Sequence, residues 1–353
     1  MTRRFVLIGG AMLLLTPTLS GANDRSPAEL YDSACASCHG PGGKGLSQAE
    51  LGFETPVPDF SDCRFASREP DPDWYAVIHQ GGPVRAFDRM MPAFGEALTR
   101  EEIGAILVHV RTFCEDPRWP RGEFNLPRPL FTEKAFPEDE FVATFGYDTA
   151  DGDPAELELL YEKRFGPVGM LEISVPLIRV NSPTGSRETG LGDIGLGYKH
   201  TVHSNLDKGD IFSLGGELIL PTGDDDKGLG KGTTVIEPFA TYGRLLAADM
   251  FFQAHLFAEF PTDDAFDDEL GFRAAFGKTW TSGGDFGRAW SPMIEVLTIR
   301  DLTSGAETKL DLVPQCQVSL NTRQHVLLNV GARVPVAETA GRDTQVVVYL
   351  LWD

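Results

Sequence analysis

Residues 139–353 alternate between apolar and polar side chains, and this alternation constrains the fold more than any other feature of the sequence. From Phe252 to Phe260 the even-numbered residues are apolar, whereas Gln253, His255 and Glu259 occupy the other face. A period of two places successive side chains on opposite faces of a β-strand. Twelve runs of about 8–15 residues have this character: Asp139–Asp148, Glu156–Phe165, Met170–Val180, Gly190–His203, Asp210–Pro221, Thr233–Leu246, Met250–Phe260, Leu270–Trp280, Ala289–Leu302, Glu307–Asn321, His325–Val336 and Thr344–Leu351.

Two folds accommodate such runs. A soluble β-sandwich buries the apolar face, whereas an outer-membrane barrel turns it toward lipid. The runs approach or exceed the ~9–11 residues that a tilted membrane-spanning strand needs. Short and long connections also alternate, with short ones at 166–169, 247–249 and 322–324 and long ones at 181–189, 222–232 and 261–269. We therefore predict an antiparallel transmembrane β-barrel of about twelve strands over residues 139–353, with its short turns on the periplasmic side.

A second feature stands near the start of the chain, where Cys35-Ala36-Ser37-Cys38-His39 has the C-x-x-C-H pattern of c-type haem attachment. Two thiols at this spacing can add to the two vinyl groups of one porphyrin, and the histidine that follows can bind the iron. The sequence predicts one covalent haem c held by Cys35, Cys38 and His39.

The sixth position of the iron is predicted to be filled by Met91. Its thioether lies on a loop that the following Pro92 stiffens, and His/Met ligation raises the reduction potential. Two alternatives stay open at this stage. Met90 is adjacent and could take the same role, and His79 would give an iron with two histidine ligands.

The order of a haem helix, a Met-Pro loop and a closing helix resembles a class I cytochrome c. The helix-start signals are Ser26 with Glu29, and Thr99 with Glu102. This resemblance implies an all-α monohaem cytochrome c domain over residues 24–116. It also implies that Cys35 and Cys38 carry the thioethers, with His39 as the proximal and Met91 as the distal axial ligand of the haem iron.

Residues 1–22 have the pattern of a secretory signal peptide, with Arg3 and Arg4 before a short apolar stretch and small residues at 20–22. Export also suits the remaining cysteines. Cys63 and Cys114 are predicted to form a disulfide in the oxidising periplasm, although two buried thiols are the alternative. Cys316 shares the apolar phase of its strand and is predicted to face lipid.

Residues 117–138 contain Pro117, Pro120, Pro127, Pro129 and Pro137, a density that excludes a helix or an inner strand. The segment is predicted to be a semi-stiff, extended linker. The aromatic residues within it suggest that it lies against another part of the protein.

The formal net charge of −21 argues against nucleic acid as a partner, because phosphate recognition requires clustered Lys and Arg. It favours cationic partners such as basic electron carriers or metal ions. Three acidic groups in the loops, around Asp148, Asp224 and Asp263, could bind a hard cation, but solvated loop tips are the more ordinary interpretation.

The glycine-rich segments 190–200, with the sequence GLGDIGLGYKH, and 220–232 resemble a family of outer-membrane barrels associated with transport in phenol meta-degradation pathways. The overall architecture is similar to fused cytochrome–porin proteins of the outer membrane that oxidise extracellular ferrous iron. The first resemblance implies a channel, and the second implies an external electron donor or acceptor.

Together these features predict an outer-membrane-associated monohaem cytochrome that transfers electrons at or across the outer membrane. Its expected partners are periplasmic electron carriers and outer-membrane lipid, with the cytochrome domain in the periplasm or the barrel mouth. The alternatives are a membrane tether for a periplasmic carrier, or a barrel transporter whose cytochrome acts as plug or sensor. An enzyme with an open haem position is a further alternative, should Met91 not bind the iron.

Overall fold

The computed structural model describes residues 25–149, 154–181, 185–283 and 286–353. The predicted signal peptide, Asp151 and Asp153 lie outside these residues. The helices are α1 (Pro27–Ala34), α2 (Ala36–His39), α3 (Gln48–Leu51), α4 (Cys63–Ala66), α5 (Asp71–Gln80) and α6 (Arg100–Arg111), with 3₁₀ turns at Gly82–Arg85, Gly122–Phe124, Asp225–Lys227 and Ala247–Asp249. Among the described residues, no helix is both long and apolar enough to cross a membrane.

The two predicted capping boxes are present. Ser26 and Glu29 begin α1, and Thr99 and Glu102 begin α6, each pair satisfying two backbone amides that a helix start would otherwise leave unpaired. The core of this N-terminal domain forms where α1 meets α6. Its buried members are Leu30, Tyr31, Ile78, Leu98, Ile103, Ile106, Leu107 and Val110, and we call this set the apolar core.

Half of the helices have only four residues, and much irregular chain connects them. The prediction of an all-α domain is therefore only partly met. A disulfide between Cys63 and Cys114 joins the start of α4 to the chain that follows α6. The loop that it closes contains α5 and α6, the two longest helices of the domain.

The second domain contains fourteen strands among the described residues. They are β1 (Asp139–Asp148), β2 (Ala155–Phe165), β3 (Gly169–Asn181), β4 (Arg187–Leu191), β5 (Ile194–Asn205), β6 (Asp210–Leu220), β7 (Val235–Leu245), β8 (Met250–Pro261), β9 (Glu269–Lys278), β10 (Trp280–Thr281), β11 (Ala289–Asp301), β12 (Lys309–Ser319), β13 (Val326–Ala337) and β14 (Gln345–Trp352). Because β4 with β5 and β9 with β10 each occupy one place in the sheet, twelve strand positions result. All pairs are antiparallel, and β14 pairs with β1, so the barrel is closed.

The two faces of the barrel wall differ in chemistry. Large apolar side chains such as Leu214, Leu256, Phe272 and Phe276 are exposed on the outside. Polar residues fill the inside, including Gln253, Ser213, Glu295 and Asn329, all at most 1% exposed. A closed barrel satisfies every strand amide and carbonyl within the sheet, which lipid requires.

Aromatic side chains mark the end of the barrel that meets the N-terminal domain. Exposed members at these strand ends are Phe141, Phe165, Trp280, Trp290 and Trp352. Such aromatic girdles lie at the interface between lipid and water in outer-membrane barrels. With its apolar exterior and closed ladder, the second domain is a barrel of the bacterial outer membrane. Cys316 has the outward phase of β12, as predicted.

The Pro-rich segment is extended, as predicted, but it does not simply connect the domains. Residues 124–138, which we call the plug, enter the barrel lumen. The side chains of Phe124, Thr132, Lys134 and Phe136 are buried there. The plug is a re-entrant excursion, because the chain enters after the N-terminal domain and returns to β1 at the same end of the barrel.

Strands from all around the wall bind the plug backbone. Gln253 of β8 donates to the carbonyl of Pro127 at 2.8 Å, and Tyr349 of β14 donates to the carbonyl of Arg128 at 2.6 Å. The carboxylate of Glu295 on β11 accepts from the amides of Leu130 and Thr132. A Pro-rich chain cannot form a strand ladder, so its backbone amides and carbonyls need other partners. The side chains of the wall provide these partners.

A buried ion cluster fixes the centre of the plug. The Arg128 guanidinium pairs with Glu140 and Glu162 of the wall, while Lys199 of β5 pairs with Glu133 of the plug. Removal of one partner from such a cluster leaves a buried charge without compensation, at a cost of roughly 3–5 kcal/mol. The plug is therefore part of the folded barrel.

Because the plug fills the lumen, we predict that the barrel conducts ions poorly. Replacement of residues 126–132 by a Gly/Ser sequence of equal length removes the Arg128 guanidinium and the apolar side chains of the plug. It should therefore loosen the plug and raise single-channel conductance in a planar bilayer. A Gly/Ser replacement of equal length in the exposed turn 302–308 should leave the conductance at the low level of the native protein. High conductance of the native protein would contradict a filled lumen.

Candidate haem-binding site

The C-x-x-C-H motif lies at a bend between two helices. Helix α1 ends at Ala34, Cys35 has φ −120° and caps α2, and α2 ends at His39. The fully buried Tyr31 donates its hydroxyl hydrogen to the carbonyl of Gly40 at 2.8 Å. This bond ties the turn after the motif to the apolar core.

Both cysteines of the motif carry free, partly buried thiols. Burial, together with the neighbouring Cys38, raises the pKa of the Cys35 thiol to about 11. Cys35 also packs directly against the apolar core. Cys35 and Cys38 do not form a disulfide with each other. Attachment to a porphyrin requires that both thiols be free.

His39 is held as a neutral imidazole. Burial lowers its pKa to about 4, and Phe60 stacks on the ring with the centroids 4.7 Å apart. The Nδ1 atom is fully buried and has no hydrogen-bond partner. A neutral imidazole is the form that binds a metal ion.

Gly43 permits close packing beside the motif. Its φ is +71°, and a Cβ at this position would collide with the ring of Phe113. Phe113 in turn makes an edge contact with Tyr31, with a centroid distance of 5.2 Å. A side chain at position 43 would push the chain after the motif away from the apolar core.

The structure separates the two methionines that the sequence offers as ligands. Met91 packs against the apolar core, as Cys35 does. Its carbonyl accepts from the amide of Gly82 at 3.0 Å, and its amide donates to the carbonyl of Asp88 at 3.2 Å. Met90 is 50% exposed, which leaves Met91 as the thioether on the buried side of the loop.

His79 has a different environment. Its ring stacks between Tyr75 and Phe286, at centroid distances of 5.5 and 5.1 Å, and its Nδ1 lies 2.8 Å from Gln80. Phe286 belongs to a turn of the barrel, between β10 and β11. His79 therefore takes part in the contact between the two domains.

The residues present fit a haem c. Free thiols stand at both cysteines, and a neutral imidazole with an unpaired buried nitrogen follows them. A partly buried thioether at Met91 packs against the apolar core, as Cys35 does. The domain of residues 24–116 remains the predicted carrier of this group, and its ligands remain predictions.

Turns at one end of the barrel hold the N-terminal domain. Arg85 donates to the carbonyl of Phe286 at 2.9 Å, and Arg323 lies over the ring of Phe87 at 4.7 Å. Three ion pairs add to this contact: Arg64 with Asp139, Arg68 with Asp353, and His325 with Glu69 at 3.0 Å. The N-terminal domain therefore covers the mouth from which the plug enters.

Sequence reasoning did not predict that the lumen is filled by the plug or that carboxylates of the plug and the wall lie close together. Groups of described residues that could hold a metal ion are Glu133 with Glu162 and Glu172, and Glu138 with Glu140 and Glu162. All five lie in the plug or the inner wall, whereas none belongs to the acidic loops. The available signal was a glutamate on the polar face of successive strands, together with Arg128 and Lys134 inside a Pro-rich segment.

A comparison with known protein families finds a match in the N-terminal region of the chain. Residues 22–110 match the family model described as cytochrome C oxidase, cbb3-type, subunit III. The match covers about a quarter of the chain and characterises the N-terminal domain as a cytochrome-type domain. No curated protein matches the chain.

Several solved structures of outer-membrane barrels are similar to the second domain. An outer membrane channel from Pseudomonas putida F1 has 14% identity and a TM-score of 0.44, covering 64% of this chain and 99% of its own. The NanC porin has 9% identity and a TM-score of 0.43, with 60% and 99% covered. The KdgM porin has 12% identity and a TM-score of 0.38, with 60% and 98% covered.

The position of Met91 predicts a specific spectral change. Met91→Ala should abolish the sulfur-to-iron charge-transfer band of the oxidised protein, because the thioether no longer reaches the iron. Met90→Ala is the matched control and should keep the band, since its side chain is half exposed. Loss of the band in Met90→Ala alone would reverse the assignment.

The His325–Glu69 pair predicts a pH-dependent contact between the domains. Burial disfavours charge on His325, but Glu69 outweighs this effect and raises the pKa of the imidazole above 6.5. Burial likewise opposes ionisation of Glu69, yet His325 and nearby arginines hold its pKa below 4.5. The stabilisation is therefore fully present between about pH 4.5 and 6.5. It is lost as the pH rises through the pKa of His325 or falls through that of Glu69.

Calorimetry of the full-length protein tests this contact. The melting temperature of the N-terminal domain should fall between pH 6 and pH 8, and His325→Gln should flatten the fall. His203→Gln alters a comparable histidine–aspartate pair, 3.2 Å from Asp210. That variant should retain the fall, and a flat profile for the native protein would contradict the assignment.

Proposed function

We propose that this protein is a monohaem c-type cytochrome that transfers electrons at the periplasmic mouth of an outer-membrane barrel. One observation carries the proposal. Cys35 of the attachment motif and Met91 pack against the same apolar core, next to a neutral His39. This arrangement supports a buried haem with a ligand available on each face.

The haem would supply a reversible one-electron change of its iron. The chain's own residues determine how that change is used. His39 and Met91 would occupy both axial positions, so that a substrate has no open site at the iron. The apolar core, which includes the fully buried Tyr31 and Ile106, would keep water away from a haem packed against it. These properties favour electron transfer over catalysis, and His/Met ligation favours a raised potential.

The plug disfavours the alternative of an open transporter. It lies in the lumen, and the wall holds it by buried ion pairs and by hydrogen bonds to its backbone. A solute would have to displace these contacts in order to pass. The barrel is better explained as an anchor that keeps the cytochrome at the membrane.

The proposed partners follow from the position and the charge of the protein. The cytochrome domain contacts turns at the girdled end of the barrel, and the predicted secretory signal suggests that this end is periplasmic. Periplasmic electron carriers can then reach it by diffusion. The net charge of −21 favours carriers with a basic surface.

Electron exchange with an external donor is the second candidate, and it derives from the acidic lumen that opens at the opposite end. The apolar band of such a barrel is about 25 Å tall. An electron donor outside the cell would therefore have to pass electrons to the haem over a distance of this order, or enter the lumen to approach it.

Haem reduction in intact cells tests the proposal. Ferrous citrate does not cross the membrane, so it should leave the haem oxidised in intact cells and reduce it after the outer membrane is permeabilised. A His39→Ala strain provides the control for signal from other cytochromes. Rapid reduction in intact cells would instead support electron transfer across the membrane, and absence of covalent haem from the purified protein would overturn the proposal.

A further inference from the structure

A row of glutamates crosses the inner wall of the barrel at matching register positions. We call it the acidic ladder, and its members are Glu162, Glu172, Glu217, Glu237, Glu259 and Glu269. Glu162 of β2 lies opposite Glu172 of β3, and Glu217 of β6 lies opposite Glu237 of β7. Like charges placed opposite each other in a sheet destabilise it, so the row needs an explanation.

The acidic ladder is continuous from one end of the barrel to the other. Gly197 of β5 lies in register with both Glu172 and Glu217, and Glu259 of β8 lies opposite Glu269 of β9. Glu162 is near the mouth that the N-terminal domain covers, whereas Glu269 begins β9 at the opposite, outer end. Because strands tilt in a barrel, one row of paired positions rises along the wall.

Two glycines make room for these carboxylates. A Cβ at Gly197 would collide with Oε1 of Glu172, and a Cβ at Gly195 would collide with Oε1 of Glu217. Both glycines belong to the glycine-rich segment 190–200. The wall is therefore bare of side chains where the two carboxylates lie against it.

The lumen next to the ladder contains a cavity of about 320 Å³. Six glutamates line it, but only two arginines, Arg128 and Arg273. Arg128 is paired with Glu140 and Glu162, and Arg273 donates to the carbonyl of Phe131 at 2.8 Å. The cavity thus has more carboxyl groups than its two arginines can pair with.

A buried histidine without hydrogen bonds completes the cavity. His255 is 3% exposed, and neither of its ring nitrogens has a hydrogen-bond partner. The rings of Phe239 and Phe257 flank it at centroid distances of 5.5 and 5.1 Å. An imidazole that lines an acidic cavity with both nitrogens unpaired has the form of a metal ligand.

The base of the acidic ladder has a second unpaired group. Oε1 of Glu162 is fully buried and accepts no hydrogen bond. One ligand atom each from Glu133, Glu162 and Glu172 lies within 4.8 Å of the others. Glu162 does not line the cavity, and Arg128 already pairs with it, so the unpaired imidazole of His255 is the observation that indicates a ligand in the cavity.

We propose that this cavity binds a hydrated divalent metal cation, with His255 as its direct ligand and the carboxylates of Glu172, Glu217 and Glu237 around its water shell. The acidic ladder leads the cation there from the outer end of the barrel, because a channel of one charge sign concentrates the opposite ion. Imidazole nitrogen with carboxylate oxygen suits first-row metals such as Mn²⁺. The plug closes the cavity on the side of the N-terminal domain, so the cation leaves through the outer end by which it entered.

Binding of Mn²⁺ to the full-length, detergent-purified protein tests this site. Free Mn²⁺ gives a six-line electron paramagnetic resonance signal that weakens on binding, and titration at pH 7 should show one saturable equivalent. The double variant Glu217→Gln/Glu237→Gln and the single variant His255→Gln should each weaken binding by about tenfold or more, since loss of even an outer-shell partner has an effect of this size.

The matched control is Asp263→Asn/Asp264→Asn, which removes the same formal charge from an exposed outer loop. It should change the affinity by no more than about twofold, because exposed charges are screened by salt. Heat-modifiable electrophoretic mobility and haem absorption establish that each variant is folded, and His255→Gln serves if the double variant is not.

Absence of saturable binding by the native protein would overturn the metal site. Equal weakening in the control would do so too, because it would show diffuse attraction by surface charge. Neither result depends on electron transfer. Failure of the site would therefore leave the proposed function intact, and loss of that function would leave the site intact.

Discussion

The ion pairs of Arg128 with Glu140 and Glu162 are the contacts on which the rest of the structure depends. They join the plug to β1 and β2, the first strands of the barrel. Carboxylates buried against each other in the wall would repel without this guanidinium, and the guanidinium could not be buried without them. The plug and the barrel wall are therefore each incomplete alone. The N-terminal domain is continuous with the plug. The ion pairs that hold the plug therefore also help to keep this domain at one end of the barrel.

The sequence predicted the elements of this fold well, because their signals are local. Period-two alternation located every strand position, and the twelve predicted runs agree with the observed strands to within a few residues, as for Asp139–Asp148. Capping boxes at Ser26 and Thr99 located two helices. The C-x-x-C-H motif and Met91 were identified as candidate haem-binding residues from their residue types alone. The structure places Met91 rather than Met90 against the apolar core.

The contents of the lumen could not be predicted in the same way. The Pro-rich segment 117–138 was predicted to lie against another part of the protein, but its partners could not be identified because they lie far away in sequence. Glu295 is more than 160 residues from the plug amides that it accepts from. The acidic ladder could not be predicted either, since a glutamate on the polar face of a single strand is an ordinary feature. Only the register between strands, which depends on the whole barrel, places Glu162 opposite Glu172.

The re-entrant path of the plug also bears on how the molecule is assembled. Its deepest part is near Phe131, where Arg273 of β9 donates to the backbone, and both of its ends leave by the mouth that the N-terminal domain covers. No chain terminus has to be threaded through a finished cylinder. An N-terminal domain that is already folded never has to cross the bilayer, and an assembly machinery can wrap the strands in order around a loop that is already in position.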